Sequence, residues 1–383
     1  MTATTLPDAV AATGAGETEA QFKTFVQNVR AALAEMGDPM GTFGVTQNLS
    51  LTAAVAGNAL TIAVKDRAGA DPTATAPSSP VSVPFRNATV ATGDFSVLNV
   101  TAASSLVISS GSTMGARNGI PFRLWIVAFN DAGTWRIGAI NCVTTVDAAG
   151  TGTGSDVTKI YPLSAWGIAS STAEGGAGAA DNAQVFYTGT AVTSKGFVVL
   201  GYMSWESGLT TAGTWDAGPT RIQLFGAGVP LPGQIVQVQR TDTGATATGT
   251  TTIPYDDTIP QNTEGDQYLS QAITPLSASN VLEVDAQAFF TSNLALGNYL
   301  MSALFQDSVA DALKATNQVM IAAQAQQQHN LRERMLAATS SATTFKVRAG
   351  GQSAGTFAIN GETSGRKMGG VLNSFIEVRE VMG

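Results

Sequence analysis

The chain holds one cysteine and one histidine in 383 residues, and each scarcity excludes chemistry. Cys142 cannot close an internal disulfide; it lies in the apolar alternation Ile137, Ala139, Asn141, Val143, where a thiol serves as a small core hydrophobe. His329, in the run QQQHNLRER, has no second histidine or reactive cysteine to complete a zinc shell or a proton relay. A surface or interface position at a turn or strand start is expected of it. Charged residues make up only 13% of the chain, against about a quarter in ordinary globular proteins. Glycine, alanine, serine and threonine fill the difference, so the surface is built from small groups. Interface cores are depleted of charge, so a thin charge complement favours a chain whose surface is covered by neighbouring copies. A net charge of -8 without any lysine and arginine cluster excludes a nucleic-acid partner.

Long apolar runs are absent too. No window approaches the roughly 18 residues of a membrane span, so membrane insertion is not expected. The opening residues, MTATTLPDAV, lack the basic start and apolar stretch of an export signal, so a reducing cytoplasm is the expected compartment until assembly or release. In that compartment the sequons at Asn48, Asn87 and Asn99 carry no meaning. Phosphate-binding glycine loops are missing: the glycines at 150, 152 and 154 precede no apolar helix, and no Gly-Lys-Ser/Thr run occurs.

Two motifs invite a catalytic reading. Gly351-Gln352-Ser353-Ala354-Gly355 matches a nucleophile elbow in spelling, yet the elbow needs a strand entering a helix. Here TFAING follows, which reads as another strand, so a turn of small residues is expected. Asp256, Asp257, Glu264 and Asp266 fall within eleven residues, the first two between Pro254 and Pro260, where the backbone is stiff and extended. Paired carboxylates serve calcium binding and glycoside hydrolysis, but the spacing fits no calcium loop, and only Tyr255 and Tyr268 stand nearby as sugar platforms. An ordered surface or inter-subunit loop is the expectation, with an ion site and catalysis as the alternatives. No catalytic residue, cofactor or metal is assigned. All five tryptophans, Trp125, Trp135, Trp166, Trp205 and Trp215, lie in the first half; core packing accounts for most such residues, and a sugar platform for one or two is the alternative.

Patterning divides the chain into residues 1–40, 41–232 and 233–383. Residues 1 to 16 are too poor in large apolar groups to fold alone and read as an arm. Thr18 with Gln21 makes a capping box, and Phe22, Phe25, Val26, Val29, Leu33 and Met36 recur at helical spacing until Gly37 and Pro39. So short a helix must bury its stripe, either on the following β domain or in a bundle at a symmetry axis. Phe22, Phe25, Val26, Val29 and Leu33 are therefore the candidate anchor or oligomer interface.

From Thr42 to Phe225 apolar residues alternate with period two, as in Leu49 and Leu51; Leu60, Ile62 and Val64; Val81, Val83 and Phe85; and Leu106 and Ile108. Further strands are read at 123–130, 135–143, 184–189 and 197–205, with turns at AGN (56 to 58) and NDAG (130 to 133). The glycine- and proline-rich GAGVPLPG, 226 to 233, marks a boundary. Eight more strands are read at 234–240, 281–290, 299–306, 312–321, 330–338, 343–350, 355–361 and 375–381, which suits a jelly roll. Residues 308 to 338 have helical propensity, but Leu313, Ala315, Asn317, Val319 and Ile321 alternate, as do Leu331, Glu333, Met335 and Ala337, and strands are preferred. The fold expected is all-β: two β-sandwich, jelly-roll-like domains preceded by one short N-terminal helix.

The stretches TIPYDDTIPQNTEGDQYLSQAITPLSASNVLEV (252 to 284), SALFQD (302 to 307), HNLRERMLAATSSATTFKVRAG (329 to 350) and NGETSGRKMGGVLNSFIEVREV (360 to 381) resemble a C-terminal module of tailed-bacteriophage structural proteins of the tail-fibre or appendage type. The first half, with RLWIVAFNDAGTWRIG and GYMSWESGLTTAGTW, resembles the region preceding that module. The resemblance implies a virion component, trimeric, with a jelly-roll head, and brings no catalytic residue with it. A homotrimeric tail fibre or spike, assembled in the host cytoplasm and bound to other virion proteins, is the resulting expectation. Contact with a host surface polysaccharide or protein would gain strength from copy number. The glycine-rich loops 147–156 and 169–181 are the candidate contact surfaces. A capsid-decorating or head-fibre protein and a polysaccharide-degrading tailspike enzyme are the alternatives.

Overall fold

The computed structural model describes residues 46–75, 78–87, 95–146 and 156–383. The protein is all-β; among the described residues the helical content is one 3-10 turn, Met368–Gly370. Phe22, Phe25, Val26, Val29 and Leu33, with the helix expected around them, lie outside the described residues.

Strands Ser50–Ala56 and Ala59–Lys65 form a hairpin whose two turn residues, Gly57 and Asn58, have φ of 57° and 62°. Two left-handed residues give a turn whose twist matches that of paired strands. Ser104–Ile108 extends the hairpin, and Leu60, Ile62 and Val64 point inward along it. Val81–Arg86 pairs with Phe95–Val100 in a separate ribbon.

At the centre of the first half Phe122–Asp131 lies between Lys195–Trp205 and Thr134–Ile140. Its apolar run is continuous because both faces of this sheet are covered. Leu124, Ile126 and Ala128 pack with Leu60 and Trp205, whereas Trp125, Val127 and Phe129 pack with Phe197 and Tyr202.

Two expected strands are corrected here. The segment 184–189 contributes only Tyr187–Thr188. The segment 135–143 breaks after Ile140, where the Asn141 side chain accepts the Val143 N–H at 3.1 Å. The chain then leaves the sheet: Val143–Val146 pairs with Asp156–Ile160, and Asp156 aligns with Met335 at the edge of a sheet built from the C-terminal half.

That half is a jelly roll. One sheet runs Ile235–Thr243, Ser374–Val381, Val281–Ser292, Gln327–Leu336; the other runs Asp266–Ile273, Thr343–Gly351, Tyr299–Gln306, Lys314–Val319. Numbered in chain order, these eight strands read 1-8-3-6 and 2-7-4-5, the order two interleaved Greek keys produce. The eight strands expected from the alternation include one wrong member. Residues 355–361 yield only Phe357–Ile359 and the start of Gly361–Glu362, while Asp266–Ile273, concealed in the polar run DQYLSQAI, is a full strand.

Lys314–Val319 is a strand rather than a helix, yet Ala315, Asn317, Val319 and Ile321 face solvent because this is an edge. Glutamines sew that edge to its neighbour across the corner of the roll: Gln327 Nε2 donates to the Val319 oxygen at 2.7 Å, and Gln318 Nε2 donates to the Gln328 oxygen.

Candidate functional site

The two halves meet at a buried polar seam built on Arg123, a residue the sequence analysis passed over. Arg123 interrupts the apolar strand FRLWIVAF and is only 3% exposed. Its Nη1 donates to Asn280 Oδ1 at 3.0 Å and to the Gly383 oxygen at 2.8 Å, and its Nη2 donates to Ser277 Oγ at 3.0 Å. Trp125 Nε1 donates to the same Gly383 oxygen at 3.0 Å. The guanidinium also lies 4.6 Å from the centroid of the Tyr202 ring. Burial pulls the Arg123 pKa down to about 10, which still leaves the side chain cationic at neutral pH.

Carboxylates reach this cation through hydroxyl and amide groups. Glu206 accepts from Ser277 Oγ at 2.8 Å and from the Ala278 N–H at 2.6 Å. Glu380, fully buried, accepts from Asn280 Nδ2 at 2.6 Å, from the Leu276 N–H at 2.8 Å and from Gln237 Nε2 at 3.0 Å. The Arg123 Nη groups and the Glu380 carboxylate find partners, the condition under which a buried charge is tolerated, while the buried Arg123 Nε has none among the described residues. A cavity of about 570 Å³ opens beside the seam, bounded by Arg123, Tyr202, Arg221, Val229, Pro230 and Leu276, among others.

The carboxylates of the 256–266 segment do not converge. Asp256 accepts from Thr258 Oγ1 at 2.6 Å and from the Thr258 N–H at 2.9 Å, and these bonds, the hydroxyl first, hold it below the usual carboxylate range. Glu264 accepts the Gln261 N–H at 2.9 Å, and Asp266 accepts the Thr251 N–H at 2.8 Å and its hydroxyl at 2.9 Å. The segment is an ordered loop lying on the outer face of the second jelly-roll sheet. Arg348 pins it by donating to the Glu264 and Gly265 oxygens at 2.8 and 2.7 Å, and Tyr255 stacks on Tyr299 at 4.1 Å between centroids. Among the described residues no group of three or more His, Cys, Asp or Glu side chains is placed to hold a metal ion.

His329 is 1% exposed, which corrects the surface or interface position expected of it. Opposite Ala288 in the strand register, it points into the roll. There Nδ1 lies 2.8 Å from Ser302 Oγ, the ring stands edge-on to Phe290 at 5.5 Å, and burial pulls its pKa down to about 4. Ser353, by contrast, lies on an exposed turn after Thr343–Gly351, with no helix following.

Trp125, Trp205 and Trp215 are buried, while Trp166 stays partly exposed against Phe95, 5.6 Å between centroids. Most of loop 147–156 lies outside the described residues. Loop 169–181 is tied down: Glu174 accepts from Ser109 Oγ at 2.9 Å and from Ser112 Oγ at 2.5 Å, and Asp181 accepts the Thr113 N–H at 2.8 Å.

No protein family and no curated protein matches the chain. Among solved structures it is similar to the Eiger TNF of S. frugiperda, at 9% identity and a TM-score of 0.24, over 39% of this chain and 94% of that one. It is similar to the VP2 subviral particle of infectious bursal disease virus at 9% identity and a TM-score of 0.23, over 88% and 78% of the respective chains. A Cry1Da tryptic core variant of Bacillus thuringiensis aligns at 8% identity and a TM-score of 0.18, over 88% of this chain and 51% of that one. Scores this low bear on neither mechanism nor partners.

Proposed function

We propose that the chain is a structural subunit of a bacteriophage particle, a trimeric tail fibre or spike that acts by assembled shape and surface contact rather than by catalysis. The resemblance of residues 233–383 to a phage appendage module supports the virion setting. The observation that carries the assembly is the edge strand Ile235–Thr243. One side of it pairs with Ser374–Val381, and no strand pairs with the other among the described residues. Ile235 and Val238 on this strand are 54% and 49% exposed. A long open edge bearing apolar side chains is a template for association, and threefold symmetry closes a head-to-tail contact of this kind into a ring.

The test is the solution mass of the purified full chain by light scattering across a concentration series. A species of three chain masses supports the reading. A compact monomer at every concentration overturns it. Binding of the trimer to host cells would assign it to attachment, and binding only to capsids would assign it to decoration.

A further inference from the structure

Three surface depressions stand out from the rest of the molecule, and their chemistry differs. The groove over Glu283, Asp285, Arg332, Arg334 and Arg379 is already neutralised by pairs such as Arg334 with Glu283 at 3.2 Å and Arg332 with Asp285 at 3.3 Å. The groove under Trp166 has one cation, Arg67, over a mainly apolar floor. The cavity at the seam between the halves is different, because two arginines line it and one of them has no partner.

Strand register places these two. Arg123 aligns with Ser204, and Ser204 aligns with Arg221, so the arginines lie in one cross-strand row on the same face, with a small serine between them. Strand spacing puts their backbones roughly 10 Å apart, within reach of two long side chains converging on a single group. Like charges sharing a row repel, and Arg221 does help to lower the Arg123 pKa. Arg123 spends its Nη donors on Ser277, Asn280 and Gly383. Arg221 is exposed and makes no hydrogen bond or ion pair among the described residues, so its planar fork is free at the cavity. Val229, Pro230 and Leu276 supply an aliphatic wall. A cavity of about 570 Å³ at a junction between structural units, with an apolar wall facing convergent polar groups, has the size of a small-molecule site.

We propose that this cavity binds a compact organic monocarboxylate. Its carboxylate accepts a bidentate pair from Arg221 in the field of Arg123, and its apolar body lies against Val229, Pro230 and Leu276. Occupancy bridges the first half to the segment 276–280 of the jelly roll and so tightens the junction. Ile235 of the open edge strand also lines this cavity, whereas Arg221 and the aliphatic wall of Val229, Pro230 and Leu276 lie on other segments.

The experiment is ligand-observed NMR and calorimetry on the full chain at low ionic strength, with benzoate as the probe and benzyl alcohol as its uncharged counterpart. Saturable benzoate binding, at least about tenfold weaker for benzyl alcohol, is expected. Arg221→Gln, an exposed change that leaves the buried seam intact, is expected to lose benzoate binding by about tenfold or more while melting at the wild-type temperature. No saturation by about 10 mM benzoate, equal binding of the two probes, or full binding by Arg221→Gln would each overturn the proposal.

Discussion

Arg123 and Gly383 stand 260 positions apart in sequence, yet the guanidinium of the first donates to the main-chain oxygen of the second at 2.8 Å. This contact joins the central strand of the first half to the end of the last jelly-roll strand. Arg123→Met removes the donors and strands the acceptors on Ser277, Asn280 and Gly383 in a buried setting. A loss of about 3 kcal/mol is expected from breaking such a cluster, read as a lower denaturant midpoint. A midpoint within about 0.5 kcal/mol of wild type would show that the seam contributes little.

His329 makes stability depend on pH. The buried ring stays neutral until about pH 4, whereas an unfolded chain protonates near pH 6.5, so the unfolded state binds the proton first. Stability is therefore complete above about pH 6.5 and falls as pH drops toward about 4, by up to about 3 kcal/mol. His329→Asn is expected to flatten this part of the pH profile in denaturant melts. An unchanged acid slope in the variant would assign the loss to other groups.

The acidic loop rests against glycine. A Cβ on Gly350 would meet the Thr251 oxygen at 2.4 Å, which is main chain and cannot rotate away. Gly350→Ala is expected to lift residues 251–265 from the sheet, to cost about 2 kcal/mol and to quicken proteolysis within the loop. Unaltered cleavage kinetics would contradict this packing.

The open edge gives a test by charge. Val238→Lys places a cation on an exposed side chain of the edge strand, a natural device against edge-to-edge pairing. The proposed trimer is expected to dissociate at least about tenfold more readily, with an unchanged circular dichroism spectrum. An equally tight trimer would move the interface elsewhere.

Cys142 is fully buried, and burial pushes its thiol pKa well above the ordinary value. The native protein is expected to resist thiol reagents and to react with one equivalent once denatured. Rapid labelling of the folded chain would mean that this core opens.

Alternation is readable where large apolar side chains mark the buried face of a half-wet strand, as at Leu60, Ile62 and Val64, because the period of the side chains is the period of burial. It failed in three recognisable ways. Asp266–Ile273 carries its ladder on polar residues; Lys314–Val319 alternates while exposed; and Phe122–Asp131 does not alternate because two cores grip it. Arg123 offered one signal, a cation inside an otherwise apolar strand, which marks either an error of assignment or a buried polar cluster. His329 gave none, since a polar run such as QQQHN does not reveal which of its members point inward.

The sequence by itself determined an all-β chain, a C-terminal half of eight-strand size and a cysteine committed to the core. Each of these follows from local periodicity or composition, which a linear reading contains. Only the tertiary structure decided that Asp156–Ile160 borders the jelly-roll sheet that holds Gln327–Leu336, that His329 is buried, that Asp256, Glu264 and Asp266 serve three separate tasks, and that Arg123 meets Ser277, Asn280 and Gly383. Those facts depend on which distant strands pair, and pairing is settled by the burial of whole sheets rather than by the character of any one segment.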